Sequence, residues 1–265
     1  MFTQEQVDSC TIIRAVVGSK CLGLDIPESD TDEMGICVEP LSEAVGLDAP
    51  FEQFVRTGPD ERREGPDLQI YGLRKYVKLA LSGNPTILAL LFIPTEFISV
   101  IDAKGTQLRD MRGSIISRHA GKAFLGYMQA QRMRLVGERG QKRIKRPELE
   151  EKFGFDTKYA MHVLRLGMQG VELLTTGNLN FPMSREEIDY LYGVREGAES
   201  LQAVLTKAGE LEAELKLLLD NSPLPAEPNR AMVEDWMLTT YIRSWTAAQT
   251  TKDIAEDAAI FAVHS

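Results

Sequence analysis

The hydrophobic period changes once along this chain, and that change limits the folds open to it. Before about residue 105 the apolar runs are short, β-branched and punctuated by Gly and Pro; beyond about Gln107 nearly every segment repeats at three and four residues. Thr11-Ile12-Ile13-Arg14-Ala15-Val16-Val17 reads as a buried strand closed by a turn at Gly18. Glu33 to Val38 is a second strand stopped near Pro40, and the alternating Asp67-Leu68-Gln69-Ile70-Tyr71 is a third. Leu73, Val77, Ala80 and Leu81 then recur at helical spacing until Gly83-Asn84-Pro85 breaks the pattern. Gly46 to Gly65, rich in Asp, Glu, Pro and Gly, reads as a variable insertion.

Helical periodicity marks Ser114 to Leu135, Thr157 to Leu174, Ser184 to Glu196, Glu199 to Asp220 and Ala231 to Ala248. Ser184-Arg185-Glu186-Glu187 is a capping box, in which hydroxyl and carboxylate each take one orphan backbone donor. Pro223, Pro225 and Pro228 form a linker before the last helix, too short to separate a domain. The expected fold is α+β: a small mixed sheet over residues 1–105, followed by a mainly helical region over 106–265.

Composition excludes collagen-like, disulfide-framework and wholly disordered chains, since 43% of residues are hydrophobic and 26% charged. The three cysteines, Cys10, Cys21 and Cys37, have no zinc-ligand spacing and fit reduced thiols in a cytoplasm. The longest apolar run, Ile87 to Ile93, is far short of the roughly 20 residues that span a bilayer, so no membrane insertion is expected. A net charge of −9 disfavours indiscriminate binding to nucleic acid. That total hides a division: Lys104 to Arg165 holds 15 basic and 6 acidic residues, whereas the remainder holds 15 and 33.

The most informative stretch is Gly18-Ser19, ten intervening residues, then Asp30-Thr31-Asp32 entering the second strand. An isolated Asp-x-Asp commonly caps a strand in an exposed turn. In extended chain, however, residues two apart share a face, so Asp30 and Asp32 would present both carboxylates together. At 4 Å such a pair costs about 4 kcal/mol at an effective dielectric near 20, which calls for a cation. Magnesium prefers carboxylate oxygens and completes its shell with water and phosphates, so a nucleotide is the natural second half. Gly18-Ser19 can bring backbone N–H groups and a hydroxyl close to a phosphate. A third carboxylate should come from a neighbouring strand; Asp67 is preferred over Asp60, Glu61, Glu64 and Asp102, which lie in turn-like sequence.

Strand, Gly-Ser, about ten residues, Ser-Asp-x-Asp, strand, then a later Asp on a third strand resembles the DNA-polymerase-β-like nucleotidyltransferase superfamily. Glu28-Ser29-Asp30-Thr31-Asp32-Glu33-Met34-Gly35-Ile36, Tyr71-Gly72-Leu73-Arg74-Lys75-Tyr76, Gly83-Asn84-Pro85-Thr86 and Glu172-Leu173-Leu174-Thr175-Thr176-Gly177 resemble, more narrowly, predicted nucleotidyltransferases of bacteria and their phages. The resemblance covers roughly residues 12 to 200. It implies that Gly18 and Ser19 hold a nucleoside triphosphate and that Asp30, Asp32 and Asp67 hold two magnesium ions, Asp67 also helping to activate the acceptor hydroxyl. Two departures stand out. Glu33 replaces a usually apolar residue and would add charge near the metals, and the helix after Asn84-Pro85 carries no acid where relatives often have one.

In the basic half, Lys158, His162, Arg165 and Gln169 recur at spacings of four, three and four, forming one helix face. Beside a carboxylate and metal cluster this face suits a triphosphate; alternatively it is a solvent-facing stripe, with His162 a hydrogen-bonded structural imidazole. Arg139-Gly140-Gln141-Lys142-Arg143-Ile144-Lys145-Arg146 is a cationic loop that could approach an RNA backbone. The expected activity is transfer of a nucleoside monophosphate to an acceptor hydroxyl with release of pyrophosphate, RNA being favoured as acceptor by the cationic segment. The alternative is a non-catalytic nucleotide- or RNA-binding module that retains the fold.

Overall fold

The computed structural model describes residues 2–48, 50–57, 66–137 and 146–263, with side chains described to residue 250. Five strands, β1 (Thr11–Val17), β2 (Asp32–Cys37), β3 (Gln53–Arg56), β4 (Asp67–Gly72) and β5 (Ile98–Ile101), form one sheet in the order β3-β4-β2-β1-β5. Only the β2–β4 pair is parallel. The two faces of the sheet bury different side chains. Met34, Ile36 and Tyr71 join the main core under the helices, while Cys37, Leu68 and Ile70 pack on Phe2 and Val7 beside α1 (Gln4–Ser9). Burial on both faces explains why these strands read as near-continuous apolar runs.

Short helices fill the connections: α2 (Ser19–Leu22), α3 (Leu41–Val45), α4 (Leu73–Leu81), α5 (Pro85–Ala89), α6 (Ala103–Asp110) and α7 (Arg112–Ile115). Beyond Ser117 the elements among the described residues are all helices: α8 (Arg118–Val136), α9 (Pro147–Phe153), α10 (Thr157–Thr176), α11 (Arg185–Arg195), α12 (Leu201–Asn221) and α13 (Arg230–Val263). A five-stranded mixed sheet followed by a mostly helical region is thus the architecture expected from the period change.

Two expectations need correction, and one strand had no sequence reading. The insertion at Gly46 to Gly65 contains β3, a strand stabilised by antiparallel pairing to β4 rather than by its own sequence. β5 completes the other edge of the sheet. The helix expected from Ser114 to Leu135 is broken at Ile116 and Ser117, where Ser117 is extended and buried. The first amides of α8 donate instead to carbonyls of the proline linker, Arg118 N–H to Pro225 O at 2.8 Å and His119 N–H to Ala226 O at 3.2 Å. Those bonds satisfy helix-end donors that Ser117 leaves uncapped.

Helix α10 is the axis of the helical half, packed between α8 and α12. Its close approach depends on small residues: a Cβ at Gly170 would lie 2.9 Å from both Leu215 and Phe124. The last helix returns to the sheet. Tyr241 donates from its hydroxyl to buried Glu39 at 2.7 Å, and Glu39 also accepts the Leu73 amide at 2.9 Å, capping α4.

Candidate functional site

Strand register builds one row across three strands. Asp32 pairs with Val17 of β1 on one side and with Asp67 of β4 on the other. Because β2 and β4 are parallel, both aspartates open their strands; because β1 is antiparallel, it ends there. The row therefore delivers two carboxylates and the Gly18-Ser19 turn to one edge of the sheet, on the face that carries Met34 and Tyr71. The Asp67 amide donates to Thr31 O at 3.1 Å and ties the two strand starts together.

Burial raises the Asp32 carboxyl, and the charges of Asp67 and Asp30 raise it further, against opposing pulls from Lys158 and Lys20. The structure thus brings together all three aspartates picked from sequence, but not equally. Asp32 and Asp67 line a shared cleft, whereas Asp30 is exposed, precedes the strand and acts on Asp32 through its charge. Among the described residues no group of three or more His, Cys, Asp or Glu side chains is arranged to hold a metal. What is present is an open, oxygen-only donor pair. That fits magnesium, which usually takes one or two protein carboxylates and fills its shell with water and phosphate.

Gly18 is the hinge of this edge. Its backbone, at φ 72° and ψ −146°, lies in a region that only glycine occupies readily. A Cβ there would sit 2.5 Å from Asp32 Oδ2, so the missing side chain is the space the carboxylate uses. Lys20, which sequence reasoning passed over, hydrogen-bonds Thr31 Oγ1 and places a cation beside the Asp-Thr-Asp turn. Its position directly after Gly-Ser was the available signal.

Two adjoining clefts open here, sharing Gly18, Leu22 and Arg165. The first, about 360 Å³, is lined by Asp32, Asp67, Gln69, Arg56, Thr86 and Gln169 among others. The second, about 350 Å³, is cationic, with Ser19, Gln131, Arg134, Arg146, Lys158 and His162 on its walls. On this face of α10, His162, Arg165 and Gln169 turn inward onto the clefts rather than forming a solvent stripe, while Lys158 lines the second cleft and stays exposed. Arg165 donates to Gln169 Oε1 at 2.6 Å and to His162 Nδ1 at 2.8 Å. Burial pulls its guanidinium down to about 10, still charged at neutral pH. Burial likewise lowers Lys158, helped by the Arg146 and Arg195 charges, and burial with the Arg165 charge lowers His162 to about 3.

The cationic loop at 139–145 lies outside the described residues, as do Asp60, Glu61 and Glu64. Arg146 is described, and it pairs with Asp156, the N-cap of α10, at 3.0 Å. The lysine and arginine positions on the second cleft thus come from α8, α10 and the residue before α9. His119 stands apart, 3.5 Å from Glu227, lining neither cleft.

Glu33 does not reinforce the carboxylate cluster. Strand alternation turns it to the opposite face from Asp32, where Arg14, its diagonal neighbour on β1, approaches to 4.0 Å. That ion pair offsets the charge Glu33 was expected to add, although Glu33 too lines the first cleft. Helix α5 lines the first cleft through Pro85, Thr86 and Ala89 and carries no acid.

Comparison with known proteins adds two findings. A family model described as "RNA repair pathway DNA polymerase beta family" matches residues 2–238. An uncharacterized 38.9 kDa protein in the nrdC-mobD intergenic region of Enterobacteria phage T4 is 27% identical over 126 residues, which is 46% of this chain and 37% of that protein. The matched stretch spans little more than a third of the phage protein's length. Among the described residues, no helix is long and apolar enough to cross a membrane.

Proposed function

The chain belongs to the RNA repair pathway DNA polymerase beta family, and from that premise we propose that it transfers a nucleoside monophosphate from a nucleoside triphosphate to an acceptor hydroxyl, releasing pyrophosphate. The observation that carries this reading is the row Val17, Asp32, Asp67 with Gly18 folded against the Asp32 carboxylate. The acceptor oxygen bonds to the α-phosphorus, the bond from that phosphorus to the bridging oxygen breaks, and Asp67 takes the hydroxyl proton. Magnesium held by Asp32 and Asp67, with Asp30 adding charge, would supply Lewis-acid polarisation of the phosphoryl group. Arg165 and Lys158, with the Gly18-Ser19 turn, hold the triphosphate and offset the charge that builds on it. In this reading residues 1–105 form the catalytic core and 106–265 contribute the cationic wall.

RNA is the favoured acceptor, because the family description names RNA repair and the second cleft is walled by cations. Purified protein, magnesium and each labelled nucleoside triphosphate, incubated with total RNA and protein and read by mass analysis, should yield one modified acceptor class. Asp32→Ala and Asp67→Ala should each lower the rate at least about 100-fold. Undiminished transfer in the double variant would sink the assignment. The acid-free α5 favours a second reading, a nucleotide-binding module without turnover; metal-dependent nucleotide binding with no product in that screen is its signature.

A further inference from the structure

Arg165 is a deeply placed cation that no carboxylate pairs. Among the described residues it forms no ion pair, no carboxylate charge offsets its burial, and its two hydrogen-bond partners are neutral. An unpaired charge in such a place is costly unless something supplies the opposite sign. Its partners are also unusual in kind: a histidine ring and a glutamine amide can each donate or accept, and a guanidinium can only donate.

We propose that Arg165 is a positioning residue that fixes both partners as hydrogen-bond donors, His162 through Nε2–H into the cationic cleft and Gln169 through its amide N–H₂ into the carboxylate cleft. The inference for the histidine runs from one bond. Arg165 Nη2 lies 2.8 Å from His162 Nδ1, so Nδ1 must present its lone pair and the ring proton must sit on Nε2. Nε2 has no protein acceptor among the described residues, and the ring lines the second cleft. The groups facing that cleft are Arg134 from α8, Arg146, and Lys158 and Arg165 from α10, with no carboxylate among them. A second positive charge on the ring is therefore opposed from every side, and the lowered His162 value agrees with a ring that stays neutral.

The same logic fixes Gln169. Its Oε1 accepts from Arg165 Nη1 at 2.6 Å, which leaves the amide nitrogen to point donors at the cleft it lines. The seam between the clefts then offers donors only, the chemistry wanted by phosphoryl oxygens, which accept and never donate once ionised. The ligand half of this proposal rests on the nucleotide reading above; the tautomer half does not.

The test uses the full-length protein and two readouts. Nitrogen-15 NMR of the His162 ring should show Nε2 protonated, Nδ1 bare and no titration between about pH 5 and 8. Arg165→Met should free Nδ1 to exchange tautomers and raise the ring's titration, with burial still holding it below its ordinary value of about 6.5. Should that variant fail to fold, His162→Gln and His162→Asn in the intact background carry the decision. Gln keeps an amide donor near the Nε2 position and should bind inorganic tripolyphosphate much like wild type; Asn does not reach it and should bind about 5- to 10-fold more weakly. A ring protonated on Nδ1, or one titrating normally in wild type, overturns the proposal while sparing the nucleotide reading, as does equal binding by the two variants. The expected tautomer with no polyphosphate binding overturns the nucleotide reading and the ligand half with it.

Discussion

Gly18→Ala separates the cost of folding this edge from the cost of placing its carboxylate. The backbone at φ 72° and ψ −146° is accessible to glycine and strained for alanine, a penalty of roughly 1–3 kcal/mol. The new Cβ would stand 2.5 Å from Asp32 Oδ2 and 3.4 Å from its Cγ. The nearest atom is the end of a short side chain, so the clash is relieved by rotating the carboxylate away. That rotation adds little to the folding penalty but displaces Asp32 by about 1 Å, an error that can cost about 100-fold in rate.

Urea denaturation should therefore show a loss of roughly 1–3 kcal/mol, a fall in Tm of about 2–4 °C per kcal/mol for a chain near this size. Transfer activity should drop about 100-fold at a temperature where the variant is fully folded. Gly209→Ala is the matched control: it lies inside α12, with nothing within 4 Å of the added Cβ. It should stabilise by about 0.5–1 kcal/mol, as alanine does in a helix interior, and leave transfer unchanged. A Gly18→Ala protein within about 0.5 kcal/mol of wild type and equally active would refute the reasoning about both backbone and carboxylate.

Glu33→Ala should keep transfer within about twofold and cost under about 1 kcal/mol, because a partly exposed ion pair to Arg14 is all it loses; a rate loss like that of Asp32→Ala would show that it acts in the site. Tyr241→Phe removes a donor from buried Glu39 and should cost about 1–3 kcal/mol at neutral pH. The sign with pH follows from burial raising the Glu39 carboxyl above its ordinary 4.5: native protein keeps that proton longer than unfolded chain, so its contribution to stability falls as pH climbs through the raised value. Below 4.5 the group is protonated in both states and the Tyr241→Phe deficit should shrink; a deficit constant with pH in urea melts counts against the account. Magnesium and a nucleoside triphosphate together should raise Tm by more than the sum of their separate effects, with a coupling of about 1–3 kcal/mol; simple additivity would mean that the two do not share a site.

Much of this arrangement was legible because it rests on local pattern. The β-branched run ending at Gly18, the Asp-Thr-Asp spacing and the alternation starting at Asp67 each declare a strand end, and three strand ends suffice to guess a shared edge. The row itself was not legible, since it depends on β2 and β4 pairing in parallel with Asp32 opposite Asp67, a register set by distant parts of the chain. β3 was hidden for the same reason: Gln53 to Arg56 is too short and too polar to announce itself and forms by pairing with β4. Helical spacing placed Lys158, His162, Arg165 and Gln169 on one face, but periodicity cannot say whether such a face meets solvent or a cleft. Glu33 looked anomalous only while its partner was unknown, because Arg14 lies nineteen residues earlier and reaches it only across the strand pair.

The division of charge along the sequence acquires a physical meaning in this fold. Carboxylates come from the acidic half, at Asp30, Asp32 and Asp67, and cations come from the basic half, at Arg134, Arg146, Lys158 and Arg165. Asp32 and Asp67 line the first cleft, Arg134, Arg146 and Lys158 the adjoining one, and Arg165 both, yet Asp32 and Arg165 do not form an ion pair with each other. Direct pairing would neutralise the site and close it. Holding the signs apart instead leaves the Asp32 carboxyl raised by burial and by the Asp67 and Asp30 charges, and Arg165 with only neutral hydrogen-bond partners. A bare cation would satisfy only the aspartates and a bare phosphate only the arginine. A divalent cation bound to a polyphosphate would satisfy both, so under the proposed function a net charge of −9 is no bar to a polyanionic substrate.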